Sequence, residues 1–331
     1  MGVTVVNDVS ITGNIGAKPL SLSGALPALT SSGTLTVQSN TALQTMDAFA
    51  QSLQYLYSLN INSNSKLTTL AGAFKALQLM DDALLIQSNA LLTNLTGAFG
   101  GLSTVRGAVA IDGNAALPAL SGGSFGSLMT VGQSLELSNN GNLASITGAF
   151  QSLTSVGGGL SILAQTKLAA LSNSFTALSV INGRLVLSNN AMLTSMQAAF
   201  KNVTSAYTLE ISSNALLASF QGSFSSLEVD GDTVAIKSNP SLRSLTGLEN
   251  LRAPTASFTI TGNTLLANIT ALQGVGNCAA ASPYNTVNVP VSVQVRLANN
   301  STCTLSSWKG VCAYITTYKS SSGVVNSCPR S

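Results

Sequence analysis

The residues that could do chemistry in this 331-residue chain are few and dispersed. There is no histidine, so the commonest general base and metal ligand is absent. Eleven carboxylates remain. Glycoside cleavage needs two of them roughly 5–10 Å apart. Glu136 and Glu210 occupy equivalent positions in a repeat, but three repeats separate them, which at about 4.8 Å per strand step is too far. Glu228, Asp230 and Asp232 form one acidic cluster, read as a solvated loop with calcium as the rival. No phosphate loop or nucleophile–base set appears, and nothing asks for a cofactor. The chain reads as non-catalytic.

Four cysteines, Cys278, Cys303, Cys312 and Cys328, lie in the last sixth of the chain. An even cluster reads as two disulfides with three pairings open, and so as an oxidising, extracellular compartment. Zinc is the rival, but the spacings of 25, 9 and 16 contain no CxxC knuckle. Asn94, Asn202, Asn268, Asn299 and Asn300 each open a glycosylation sequon. Met1-Gly2 precedes Val3–Val6 without a basic or apolar leader, so the sequence reads as a mature chain with an added start.

Charged residues make up only 8% and hydrophobic residues 45%, yet no apolar run reaches membrane-helix length, so membrane insertion is not expected. The net charge of +3 is spread thinly and aromatics are 5%, which argues against a nucleic-acid stripe or stacking platform.

What must position these residues is a repeat. Apolar-x-apolar-x-x-Asn recurs from Val9-x-Ile11-x-x-Asn14 to Phe258-x-Ile260-x-x-Asn263 at intervals of 24 to 26 residues. The intermediate asparagines are Asn40, Asn64, Asn89, Asn114, Asn140, Asn190, Asn214 and Asn239, with Gln165 replacing one. Each is followed by a second apolar pair (Leu67 and Leu70, Leu143 and Ile146), a small-Phe step (Ala73-Phe74, Ala149-Phe150) and a closing L-x-x-V/I. Alternate inward residues predict a short strand per repeat, stacked into a parallel sheet. The asparagines should form an internal ladder and the phenylalanines a spine. The expected fold is all-β: a parallel β-solenoid of about ten turns and about 48 Å. Residues 1–30 are assigned to an N-terminal cap and first turn, 31–275 to the repeats, and 276–331 to a disulfide-stapled C-terminal cap containing Trp308.

Runs such as Leu135-Glu-Leu-Ser-Asn-Asn-Gly-Asn-Leu-Ala-Ser-Ile146 resemble the receptor L domain, a leucine-rich β-helical fold, and related fungal cell-wall glycoproteins. The resemblance spans roughly residues 9–275 and speaks to fold more than to function. The chain departs from those families in having more uninterrupted turns, no cysteine-rich module and no Ser/Thr-rich apolar tail.

The outward residues of the second strand form a nearly uncharged row. Its candidate contacts are Thr45, Thr68, Thr69, Thr93, Ala119, Ser145, Ala170, Thr194, Ser195, Ser219 and Ser244, interrupted by Pro118 and Arg243. This row predicts adhesion to an extended surface, glycan or cell wall. The alternative is ice binding on the same face, and self-assembly is left open.

Overall fold

The computed structural model describes residues 5–16, 18–120, 123–229, 233–251, 257–267, 271, 293–296, 302–305, 315–319 and 325–326. Within them the chain coils into a parallel β-solenoid without an α-helix.

Turn 84–108 shows why the sequence coils. Leu84 and Ile86 point inward from the strand Leu84–Gln87. Ser88 then takes a left-handed backbone (φ 54°), which bends the chain sharply and drives Asn89 into the interior. Leu92 and Leu95 face inward with Thr93 and Asn94 between them on the outside. A second left-handed residue, Gly97 (φ 63°), sets up the buried Ala98-Phe99 step. Leu102 and Val105 complete the inner lining. Two left-handed corners per turn explain the small, Gly or Asn residues at those places, because only short side chains visit this region cheaply.

Stacking gives three faces. The first carries eleven in-register strands from Val9–Thr12 to Ser257–Thr261, each joined to the next turn, as in Leu84↔Val109 and Val109↔Leu135. The second is a thin strip held by single bridges, Thr45↔Thr69, Thr69↔Asn94, Ala119↔Ser145 and Ala170↔Ser195. The third is a file of two-residue strands, Leu79–Met80, Thr104–Val105, Thr130–Val131 and Ser155–Val156.

The corner between the third and first faces absorbs differences in turn length. Two residues between Leu56 and Leu59 let one strand, Tyr55–Asn62, run through both faces. Three residues break it in two at Arg106, Gly107 and Ala108, whereas the three between Ile181 and Leu185 are taken up as a register shift within one strand, Val180–Ser188. Backbones pass so closely there that a β-carbon on Gly157 would lie 2.1 Å from the carbonyl oxygen of Gly132.

Inside, the asparagine ladder is continuous from Asn14 to Asn140. Each Oδ1 accepts the backbone N–H of the preceding turn's asparagine (Asn64 to Asn89, 3.1 Å), and each Nδ2 donates to a carbonyl of that turn (Asn64 to Val37, 2.8 Å). It resumes where the Gln165 N–H donates to Asn190 Oδ1 (3.2 Å) and continues to Asn263. Eight phenylalanines from Phe49 to Phe224 form the spine at centroid spacings of 5.2 to 5.9 Å. Where the small residue before Phe is Ser124, Ser174 or Ser223, its buried hydroxyl donates to a main-chain carbonyl of an earlier turn.

At the C-terminal end, Val293–Arg296 extends the first face in parallel (Ile260↔Val295), and Thr302–Leu305, Ile315–Lys319 and Val325–Asn326 follow antiparallel. Cys278, Cys312 and Cys328 lie outside the described residues, as do the side chain of Cys303 and the whole of Trp308, so the expected disulfides fall there too.

Candidate binding faces

The row expected from the sequence is assembled on the second face, but most of its hydroxyls are already engaged. Thr68, Thr93 and Thr194 each donate Oγ1–H to a carbonyl of the preceding turn, at 3.0 to 3.1 Å. In several pairs the second member folds back on its own turn. Ser145, Ser195 and Ser244 accept the backbone N–H two residues on, from Thr147, Gln197 and Thr246 at 3.0 to 3.2 Å. Asn94 does the same through Oδ1 to Thr96. These are the Ser/Asn turns that fix the approach to the second corner. Thr69 donates to Asp47 Oδ1 at 2.5 Å and accepts from Ala71 N–H, and Thr45 bonds Ser21 at 2.7 Å. Ala119, Ala170 and Ser219 are half-buried on the same strip. The row therefore lies together, and it is also a structural seam.

A second strip, missed in the sequence reading, runs down the third face. Its outward pairs over five turns are Ser103-Thr104, Met129-Thr130, Thr154-Ser155, Ser179-Val180 and Thr204-Ser205, and none is charged. Ser103, Thr154, Ser179 and Thr204 donate to the carbonyls of Gln78, Met129, Thr154 and Ser179 at 2.9 to 3.1 Å. These four donors are thus committed to the preceding turn, leaving their oxygen lone pairs as acceptors, in a row that the exposed Met129 interrupts. The signal was present in the two residues inside each L-x-x-V/I.

No protein-family model, curated protein or solved structure matches this chain. The faces must therefore be weighed on their own chemistry.

The first face is mixed. Arg184 pairs with Glu210 at 2.9 Å. Asp112 Oδ1 and Glu136 Oε1 each sit 2.7 Å from Ser138 Oγ, so the two carboxylate oxygens are no farther apart than twice that distance. The sequence reading weighs Glu136 only against Glu210, three repeats away and too far to pair, and does not place Asp112 beside Ser138 in register. At the edge of the third face, Tyr55 donates to Asp81 Oδ2 at 2.7 Å and Arg106 pairs with the same carboxylate. The Asp81 hydrogen bond is the largest cause of a raised Tyr55 pKa, with desolvation second. Among the described residues no three acidic, cysteine or histidine side chains converge as a metal site, and no helix is long and apolar enough to cross a membrane. Asp230 and Asp232, candidates for calcium, lie outside the described residues.

Proposed function

We propose that this chain is a secreted, non-catalytic adhesive protein that lays uncharged hydroxyl strips against an extended glycan or cell-wall surface. The observation that carries this reading is the aligned set of hydroxyls on the third face. With the donors of Ser103, Thr154, Ser179 and Thr204 committed to the backbone, and the last three stacked at about 4.8 Å intervals, the strip suits a partner that presents repeated hydroxyl donors. The rigid coil lowers the ordering cost of each contact, so many weak contacts add. The likeness of the repeat to receptor L domains and fungal cell-wall glycoproteins, and the clustered cysteines, support the extracellular setting.

Ice binding is the second reading, favoured by the regularity of the third strip, since an ice surface also presents a lattice of donors. Co-sedimentation with insoluble cellulose, chitin and β-glucan, run beside an ice-recrystallisation assay, separates the two. A long charged side chain in mid-strip, Thr154→Lys, should lower binding at least tenfold by holding the lattice away. Ala110→Lys on the first face should leave it unchanged. If Thr93→Lys on the second strip abolishes binding and Thr154→Lys does not, the contact belongs to the second face. Equal binding by all three variants refutes both strips.

A further inference from the structure

Aromatic side chains are scarce in this chain, and most of them are hidden. Every phenylalanine from Phe49 to Phe224 is buried. Among the described residues the exposed aromatic side chains are Tyr57 (49%) and Tyr207 (53%). Both stand at the same place in the repeat, the first corner residue between the third and first faces, directly after the inward Leu56 and Ala206. Each corner is two residues long, so one continuous strand, Tyr55–Asn62 or Ser205–Ser212, fixes the tyrosine backbone on both sides. The corners between them, 106–108, 132–134, 157–159 and 182–184, each contain glycine. A β-carbon on Gly107, Gly132 or Gly183 would meet the backbone of the preceding turn at 2.1 to 2.7 Å.

Next to this corner, on the third face, Thr104, Thr130, Ser155 and Ser205 stack in register, with Val180 between the last two. Unlike Ser103, Thr154, Ser179 and Thr204 beside them, they make no side-chain hydrogen bond among the described residues. Each therefore offers both a donor and acceptors. The surface asks for a ligand with apolar faces, hydroxyl edges and no charge. A sugar ring has all three: its C–H bonds give a weakly positive face that suits the negative face of an aromatic ring, and its hydroxyls lie around the edge. Single-stranded nucleic acid also stacks on aromatics but needs free cations for its phosphates, and Arg106 and Arg184 at this corner are each paired with a carboxylate. A proline-rich peptide stacks on tyrosine too, but proline has no N–H to give to the acceptors of the strip.

We propose that Tyr57 and Tyr207 are the two ends of one carbohydrate site, stacking on sugar rings of a single neutral glycan chain that runs along the coil axis beside the third-face hydroxyls. Six register steps separate the two tyrosine turns, from Tyr55 through Leu79, Thr104, Thr130, Ser155 and Val180 to Ser205. At strand spacing that is roughly 29 Å. The site rests on the glycan reading of the third face, and adds to it the stacking residues, the direction of the chain and its minimum length. Two rigidly held rings engaging one chain make the second contact intramolecular, so a chain long enough to reach both gains affinity over one that reaches a single ring.

The test is isothermal titration calorimetry of the full chain with soluble cello-, chito- and laminari-oligosaccharides of increasing length. Affinity for one of these series should rise with length and level off once the chain exceeds roughly 29 Å. Tyr57→Ala and Tyr207→Ala should each weaken the longest ligand by roughly fivefold or more, while Tyr207→Phe stays within about twofold, because the ring face stacks and not the phenol oxygen. Circular dichroism confirms the fold of each variant. Full affinity in both alanine variants, with binding lost in Thr154→Lys, overturns the tyrosine site and leaves the glycan reading of the strip standing. An unaltered chain that binds none of the three glycans, soluble or insoluble, overturns both. A proline-rich peptide that binds where no glycan does, and is lost in the alanine variants, overturns the carbohydrate as occupant. Affinity that does not grow with chain length overturns the axial path, and that measurement needs no variant.

Discussion

Gln165→Asn should stabilise the protein, and the size of the gain follows from the ladder. In a regular turn the asparagine Oδ1 accepts two bonds from the turn before, as Asn89 Oδ1 does from Asn64 N (3.1 Å) and Asn64 Nδ2 (3.1 Å). Its Nδ2 reaches back to that turn's carbonyl, as Asn140 Nδ2 does to Ile111 at 2.8 Å. Gln165, longer by one methylene, turns its Nε2 to Leu163 of its own turn, and its Oε1 is buried with no hydrogen-bond partner. An unmet buried acceptor costs about 1–3 kcal/mol, and each regained bond contributes about 1 kcal/mol. Removing the methylene costs about 1 kcal/mol in lost burial and residual cavity. The net expectation is a gain of about 1–3 kcal/mol. It should appear in urea denaturation as a raised midpoint with an unchanged slope, because the surface exposed on unfolding is the same. The mirror experiment, Asn89→Gln, should lower the midpoint by a similar amount. A neutral or destabilising Gln165→Asn refutes the ladder as an energetic element, above all if Asn89→Gln is also silent.

Ala198 holds φ at 57°, a place where a β-carbon costs about 1–2 kcal/mol. Ala198→Gly should therefore stabilise the fold by about 0.5–1 kcal/mol after the extra freedom of the unfolded glycine is subtracted, read as a raised thermal midpoint. Gly157→Ala should destabilise by more than about 2 kcal/mol, because the new methyl meets the Gly132 carbonyl oxygen at 2.1 Å, whereas the nearest atom at Gly126 is 3.5 Å away and Gly126→Ala should be mild. Tyr55 should ionise above its ordinary 10.0, and Asp81→Asn should bring the phenolate absorbance transition back down. Since the folded form holds that proton more tightly, this contribution to stability is present below pH 10.0 and is lost as pH rises through the folded value.

The coil was legible because eleven anchors at nearly constant spacing leave stacked parallel strands as the way to bury them all. The ladder and spine followed from residue type at a fixed place in that period. The left-handed corners were equally visible in principle: Ser39, Ser63, Ser88, Gly113 and Asn139 each precede a ladder asparagine. They read as unremarkable polar residues, because a backbone angle leaves no hydrophobic pattern. The hydroxyl row does share one strip, but its bonding to the preceding turn was hidden, since whether Thr93 faces solvent or the carbonyl of Thr68 depends on the neighbouring turn. The third-face strip was overlooked for a simpler reason: its outward pairs sit in two-residue strands too short to announce a face.

The bonds that join one turn to the next run along the long axis of the coil, from Asn14 through Asn140 and across every paired strand. Tension applied between the ends loads those contacts one turn at a time rather than together. The expected mechanical response is a sawtooth of low, even rupture forces, each step releasing 24 to 26 residues, or about 85 Å of chain. Yielding should begin at the Gln165 turn, where the axial chain of amides is interrupted. A load applied across the strips, as when a flat face is dragged over a surface, is instead shared by all turns at once. The same coil is therefore compliant when stretched and stiff when sheared.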